Sequence, residues 1–184
     1  MQAMAAGESD PREPSALEAI FAAHHVRVFR AAHRITGNVP DAEDVLQTVF
    51  LRLSRREAEA RAVANLASYL YRAAVNAALD LLRARHESTR VALDDPLAQA
   101  LPGDRRARPD DIHEAAEIRR RLRQALARLN PRAAEVFALR YLEGLDNREI
   151  AGLLGTSRVT VAVTLHRARC RLQADLGTTR RDGR

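Results

Sequence analysis

Residues 146–176, DNREIAGLLGTSRVTVAVTLHRARCRLQADL, constrain the fold more than any other stretch of this chain. Asp146 and Glu149 have capping-box spacing, so a helix can begin there. Ile150, Ala151 and Leu154 put apolar groups on one face of it. Gly155 ends that helix, because glycine takes the left-handed conformation without a Cβ penalty. Ser157 can cap a longer helix in which Val161, Leu165, Ala168 and Leu172 recur at helical spacing. Two helices joined by a short glycine-containing turn make a helix-turn-helix, whose second helix can enter a DNA major groove.

The charge on the second helix suits that use. Between Ser157 and Leu172 lie Arg158, Arg167, Arg169, Arg171 and His166, with no acidic residue. Phosphate neutralisation by arginine releases counterions and drives DNA binding. The ordinary alternative is a basic surface helix on a bundle. The net charge of +6 agrees with a polyanionic partner without requiring one. A single cysteine, Cys170, excludes an internal disulfide and a cysteine-rich zinc site, and fits a reducing cytosol. No apolar run approaches the length of a bilayer span, and the first residues lack a signal-peptide pattern, so a cytoplasmic location is expected.

The remaining pattern is helical throughout, and aromatics make up only 4% of the chain. The expected fold is therefore all-α: two small helical domains joined by a flexible linker. Residues 1–14 read as a disordered lead. Residues 15–88 form the N-terminal domain. Ser15 and Glu18 cap its first helix, where Leu17, Ile20, Phe21, Val28, Ala31 and Ile35 share a stripe and Gly37 marks the end. His24, His25 and His33 lack the acidic partners and spacing of a metal site. The next helix starts near Asp41 and buries Ala42, Val45, Leu46, Val49 and Leu53. Its other face, with Glu43, Asp44, Gln47, Leu51 and Arg52, is poor for DNA and better suited to protein or to water. Residues 54–64 are charged and irregular. Asn65 is a plausible cap for a third helix running to about His86, with Leu66, Leu70, Ala73, Ala77 and Leu81 inside. Its outer stripe, Tyr69, Arg72, Asn76, Asp80 and Arg83, suits unstacked bases and phosphates, although Arg72, Asp80 and Arg83 also have the spacing of intrahelical pairs.

Residues 89–110 read as the linker, broken by Pro96, Pro102, Gly103 and Pro109. Residues 111–177 form the C-terminal domain. Asp111 and Glu114 cap a helix with Ile118, Leu122, Leu126 and Leu129 inside. Asn130-Pro131 starts another, carrying Val136, Phe137 and Leu142, which Gly144 ends. Residues 178–184 read as a disordered tail. There is no glycine-rich phosphate loop, HExxH pair or nucleophile elbow, so neither an enzyme nor a cofactor is expected.

In this order the parts resemble a sigma-70 family sigma factor of the extracytoplasmic-function type, from Ser15 to Leu176. DAEDVLQTVFLRL at Asp41–Leu53 is similar to the family's core-polymerase-binding helix. SYLYRAAVNAALDLLRARH at Ser68–His86 is similar to its −10 helix, and Leu129–Leu172 to its −35-reading domain. The resemblance implies docking on the β′ clamp of core RNA polymerase through Asp41, Asp44, Gln47 and Leu51. It implies contact with the −10 strand through Tyr69, Arg72, Asn76 and Arg83. It also implies a −35 contact through Arg158, Thr160, Ala162, Val163, His166 and Arg167. The family often has Trp at the place of Tyr69, and cations around Ala162 and Thr164. Base reading therefore shifts toward Arg158 or toward thymine methyls from Ala162 and Val163. The family implies promoter DNA and polymerase as partners and, commonly, an anti-sigma factor. The competing readings are a free-standing helix-turn-helix regulator that binds operator DNA without polymerase, and a helical adaptor that binds only proteins.

Overall fold

The computed structural model describes residues 16–55, 65–94 and 110–178, and every regular element among them is helical. The helices are α1 (Ala16–Thr36), α2 (Val39–Arg55), α3 (Leu66–Asp94), α4 (Asp110–Arg128), α5 (Pro131–Phe137), α6 (Asn147–Leu154) and α7 (Arg158–Thr178). A π-helical turn, Ala138–Leu142, continues α5. The expected lead, most of the expected linker and nearly all of the expected tail lie outside the described residues.

Local chemistry sets the ends of these helices. Gly37 takes φ 79°, and its N–H donates to the His33 carbonyl at 2.8 Å, closing α1. Asn38 opens α2 by accepting from the Asp41 N–H at 2.9 Å. Asn65 does the same for α3 through the Ser68 N–H, also at 2.9 Å. Asn130 and Pro131 start α5 as expected, with the Ala133 N–H donating to Asn130 at 2.8 Å.

In the N-terminal domain α1, α2 and α3 pack around Val28, Ile35, Val45, Val49, Leu53, Leu70, Val75 and Leu79. In the C-terminal domain α4 to α7 enclose Leu126, Leu129, Val136, Leu139, Ile150, Val161, Leu165 and Leu172. The two domains also meet, because α3 packs on α4 and α5. Helix α3 differs from the sequence reading in two ways, and it packs on α1 and α2 as well as on the C-terminal domain. First, α3 runs on to Asp94 and so takes the first residues assigned to the linker. Second, α3 buries more than one stripe: Tyr71, Ala74, Val75, Ala78 and Leu79 join Leu70 and Ala77, whereas Ala73 and Leu81 are only partly buried. Ile118, expected inside α4, is 59% exposed, because the buried side of α4 begins only near Leu122.

Candidate nucleic-acid interface

The helix-turn-helix forms as its residues dictate. Asp146 accepts from the N–H groups of Arg148 and Glu149 at 2.7 and 2.8 Å. Glu149 answers by accepting from the Asp146 N–H at 2.7 Å, completing a capping box. The bond from the Glu149 N–H, then that from Arg148, holds the Asp146 carboxyl below its ordinary value. Gly155 adopts φ 61° and ψ 42° at the end of α6, a conformation a side chain would strain. Ser157 Oγ accepts from the Thr160 N–H at 3.0 Å and opens α7.

On α7, Val161, Leu165, Ala168 and Leu172 are buried, and Arg158, Thr160, Ala162, Val163, His166 and Arg167 are all exposed. At about 100° per residue, the surface opposite the core falls on Val159, Val163, His166 and Cys170, spaced four, three and four apart. Arg158 and Arg169 flank this ridge on one side, and Arg167 and Arg171 on the other. Val159 is 73% and Val163 44% exposed. The hydroxyls near the ridge are occupied within the helix. Thr160 Oγ1 lies 2.9 Å from Ser157 Oγ, and Thr164 donates to the Thr160 carbonyl at 2.7 Å. Arg171 pairs with Asp175 at 3.5 Å, whereas Arg158, Arg167 and Arg169 have no acidic partner among the described residues. The surface is thus two cationic edges around an apolar and imidazole centre. Sequence reasoning missed Val159, although its position opposite Val161 and Leu165 was readable from the spacing.

The stripe on α3 faces the C-terminal domain. Tyr69 is 38% exposed and lines a cleft of about 670 Å³ with Arg27, Arg72, Leu145, Glu149 and Leu153. Arg72 Nε donates to Glu135 Oε1 at 2.8 Å, and Asn76 Nδ2 donates to the same oxygen at 3.0 Å. Arg132 holds the other Glu135 oxygen at 3.1 Å. Glu135 is only 4% exposed. Nearby, Glu143 Oε2 accepts from Arg34 at 2.8 Å and from the Tyr71 hydroxyl at 2.9 Å. Burial, then the Glu143 carboxylate, pushes the Tyr71 phenol well up, so it stays a proton donor. Arg83 donates to Asp80 at 2.7 Å, the intrahelical pairing that its spacing allows. Of the four residues assigned to the −10 strand, then, Arg72 and Asn76 are held by the other domain and Arg83 by its own helix. Glu135 and Tyr71 were missed; a lone carboxylate inside the apolar run Ala133–Leu139 was the available signal.

On α2, Asp44, Gln47 and Leu51 are exposed, Leu51 by 55%. Asp41 is not, and this corrects its assignment to the polymerase-docking face. It is 1% exposed, accepts from Asn38 Nδ2 at 2.7 Å and pairs with Arg85 of α3. Its carboxylate ties the start of α2 to α3, and a buried, paired charge cannot also serve as a docking contact.

Comparison with known proteins identifies the two domains that carry these surfaces. The model of Sigma-70 region 2 matches residues 20–87 and that of Sigma-70, region 4 matches residues 119–172. The chain is 34% identical over 158 residues to the RNA polymerase sigma-E factor of Streptomyces avermitilis, covering 85% of this chain and 83% of that one. It is 33% identical over 163 residues to the RNA polymerase sigma factor CarQ of Myxococcus xanthus, covering 88% and 90%. It is also 31% identical over 150 residues to the ECF RNA polymerase sigma factor SigE of Mycolicibacterium smegmatis, covering 82% of this chain but 57% of that protein. Among solved structures, CnrH in complex with the cytosolic domain of CnrY has a similar fold, with TM-score 0.51, 22% identity and 90% coverage of each chain.

Proposed function

We propose a mechanism for this chain from the premise that it belongs to the sigma-70 family of RNA polymerase sigma factors, in the extracytoplasmic-function group. It docks on core RNA polymerase and directs initiation at promoters with particular −35 and −10 elements. It contributes recognition and not bond-making chemistry; the polymerase is the enzyme. The observation that carries this reading is the separation of surfaces. An uncovered face with Asp44, Gln47 and Leu51 lies on α2, and an arginine-edged helix with a bare centre lies on α7.

The α2 face meets the β′ clamp. Leu51 supplies apolar area, while Asp44 and Gln47 set orientation at the rim, as polar groups around an apolar anchor do. Buried Asp41 acts by holding α2 against α3. Asp44→Lys with Leu51→Asp is expected to abolish promoter-directed transcription by core polymerase while leaving binding to −35 duplex DNA within twofold, measured by run-off transcription and fluorescence anisotropy. Full transcription by this variant would favour a regulator that binds DNA without docking on polymerase.

The α7 helix lies in the −35 major groove. Arg158 and Arg169 on one edge, and Arg167 on the other, meet phosphates of the two strands. Between them Val159, Ala162 and Val163 touch base edges, and the methyl of thymine is the only apolar group a major groove offers. His166 adds the one polar side chain at the centre of the ridge. Replacing contacted thymines of a selected −35 duplex by deoxyuridine is therefore expected to weaken binding about fourfold per buried methyl, from about 0.8 kcal/mol of apolar transfer each. Equal affinity for both duplexes would remove methyl contact from the account.

On α3, Tyr69 stacks on an unpaired base of the −10 strand, and Arg72 and Asn76 bind its polar edges or backbone. Arg83, bonded to Asp80, holds the end of this surface. A cognate anti-sigma factor is the expected regulator, acting on these same faces.

A further inference from the structure

We infer that the cleft between the α1–α2 turn, the second half of α3 and α4 is a binding site for a phosphate group, carried by a small phosphomonoester or present as the free ion. The cleft has a volume of about 360 Å³. That lies at the low end of the range for small-ligand pockets, about 300–1,000 Å³. Its walls include Gly37 and Asn38 at the turn, Arg85 and His86 on α3, and Arg123 and Gln124 on α4. None of these residues belongs to the faces assigned above to polymerase or to DNA.

The charge originates in one short stretch. EIRRRLR at Glu117–Arg123 sets four arginines against one glutamate, a net charge of +3. Two of the four share that glutamate. Glu117 accepts from Arg120 Nε and Nη2 and from Arg121 Nε, each at 2.7 Å. The bonds from Arg120, then that from Arg121, pull its carboxyl down to about 2. The carboxylate inside the cleft, Asp41, is taken by Arg85 and Asn38. Arg123 is left with no acidic partner and no hydrogen bond among the described residues. It is half-buried, and its guanidinium lies directly over Gly37, where any side chain would run into it. Burial, then the like charge of Arg119, pulls that guanidinium below its ordinary value. An unpaired cation in a partly dry cleft costs free energy that a bound anion offsets.

The donors present select phosphate among anions. The planar fork of arginine matches phosphate oxygens and can bind two of them at once. Gln124 adds a side-chain amide that has no partner among the described residues. Arg85 and Arg120 bring further N–H groups, because Asp41 and Glu117 engage only part of each guanidinium. A phosphomonoester carries close to two negative charges and three strong acceptor oxygens, so it can satisfy several of these donors together. A carboxylate has one charge and two oxygens to offer. Walls from three elements confine the volume to one small group and do not accommodate a length of nucleic-acid backbone. Both domains contribute to the cleft, the α1–α2 turn and α3 from one and α4 from the other. A ligand there recognises that relative placement of the domains and stabilises it by mass action.

The test titrates the full-length chain with inorganic phosphate and, separately, with ribose 5-phosphate, by isothermal titration calorimetry at constant ionic strength. Saturable binding of at least one probe is expected. Tighter binding of ribose 5-phosphate would mark an ester as the ligand, and tighter binding of phosphate the free ion. Arg123→Met keeps the apolar stem and removes the charge, and is expected to weaken binding at least about tenfold, the effect of losing hydrogen bonds from one charged group. Arg123→Lys keeps the charge without the fork and should fall between the two. Arg30→Gln removes an exposed cation of α1 outside the cleft and should bind as the unaltered chain does. Without phosphate, Arg123→Met should unfold at the same temperature as the unaltered chain or higher, because an uncompensated charge has gone. A lower midpoint would show that the fold already satisfies the guanidinium, and would overturn the inference. Equal phosphate affinity in Arg123→Met would overturn it too, as would the absence of saturable binding to the unaltered chain. Single-stranded DNA of mixed sequence is the last probe. If Arg123→Met weakened its binding while neither small phosphate bound, the cleft would be a nucleic-acid contact and the inference would fall. The −35 helix and the α2 face carry none of these substitutions, so the proposed function stands or falls separately.

Discussion

Arg158→Ala combined with Arg167→Ala is expected to lower affinity for a −35 duplex about 60-fold at about 0.1 M salt, and to reduce the slope of log K against log salt by about 1.8. Both figures follow from about 0.9 counterions released per phosphate contact. The two arginines lie on opposite edges of the exposed face of α7, and neither has an acidic partner among the described residues. No intramolecular bond is therefore given up when they meet phosphate. Arg171 differs, because Asp175 competes for it, so its removal should change the slope less. The loss should be nearly uniform across duplex sequences, since phosphates carry no base information. A variant that kept its full salt slope would mean that α7 lies elsewhere than in the groove.

Ile150→Ala should cost the C-terminal domain about 2–5 kcal/mol, the range for deleting a large aliphatic side chain from a core that relaxes little. Ile150 is 0% exposed and sits on α6, a helix of only eight residues that packs on α7 and on the π-helical turn. So short a helix has little stability of its own, and packing supplies nearly all of it. Urea unfolding followed by circular dichroism should show a midpoint displaced to lower denaturant. Duplex binding should fall in parallel, because α6 fixes the angle at which α7 is presented. A shift smaller than about 0.5 kcal/mol would indicate that α6 is not held by this residue.

The helix-turn-helix was legible residue by residue. Asp146 with Glu149, Gly155 and Ser157 are local devices whose hydrogen bonds close within a few positions, so spacing alone reveals them. The outward placement of Arg158 and Arg167 follows equally from the buried period of Val161, Leu165, Ala168 and Leu172. Interactions spanning many residues were not legible. Asp41 has the acidic character and first-turn position of a dipole-compensating surface residue, yet Arg85, 44 positions away, draws it inside. Arg72 and Asn76 read as open to solvent because their partner Glu135 lies about 60 residues further on. Ile118 shows the same limit in reverse, since its apolar period does not reveal that the buried side of α4 begins later. Periodicity locates the faces of a helix; only the assembled chain decides which faces are covered, and by what.

The most direct test of the central claim is run-off transcription with purified core RNA polymerase on a pool of genomic promoter fragments, with and without this chain. Discrete transcripts are expected only when the chain is present, with upstream sequences that share paired −35 and −10 elements. Arg158→Ala/Arg167→Ala and Asp44→Lys/Leu51→Asp are each expected to remove those transcripts, the first by losing duplex binding and the second by losing polymerase. Transcripts identical in pattern to those of core polymerase alone, from a chain that still binds duplex DNA, would contradict the central claim.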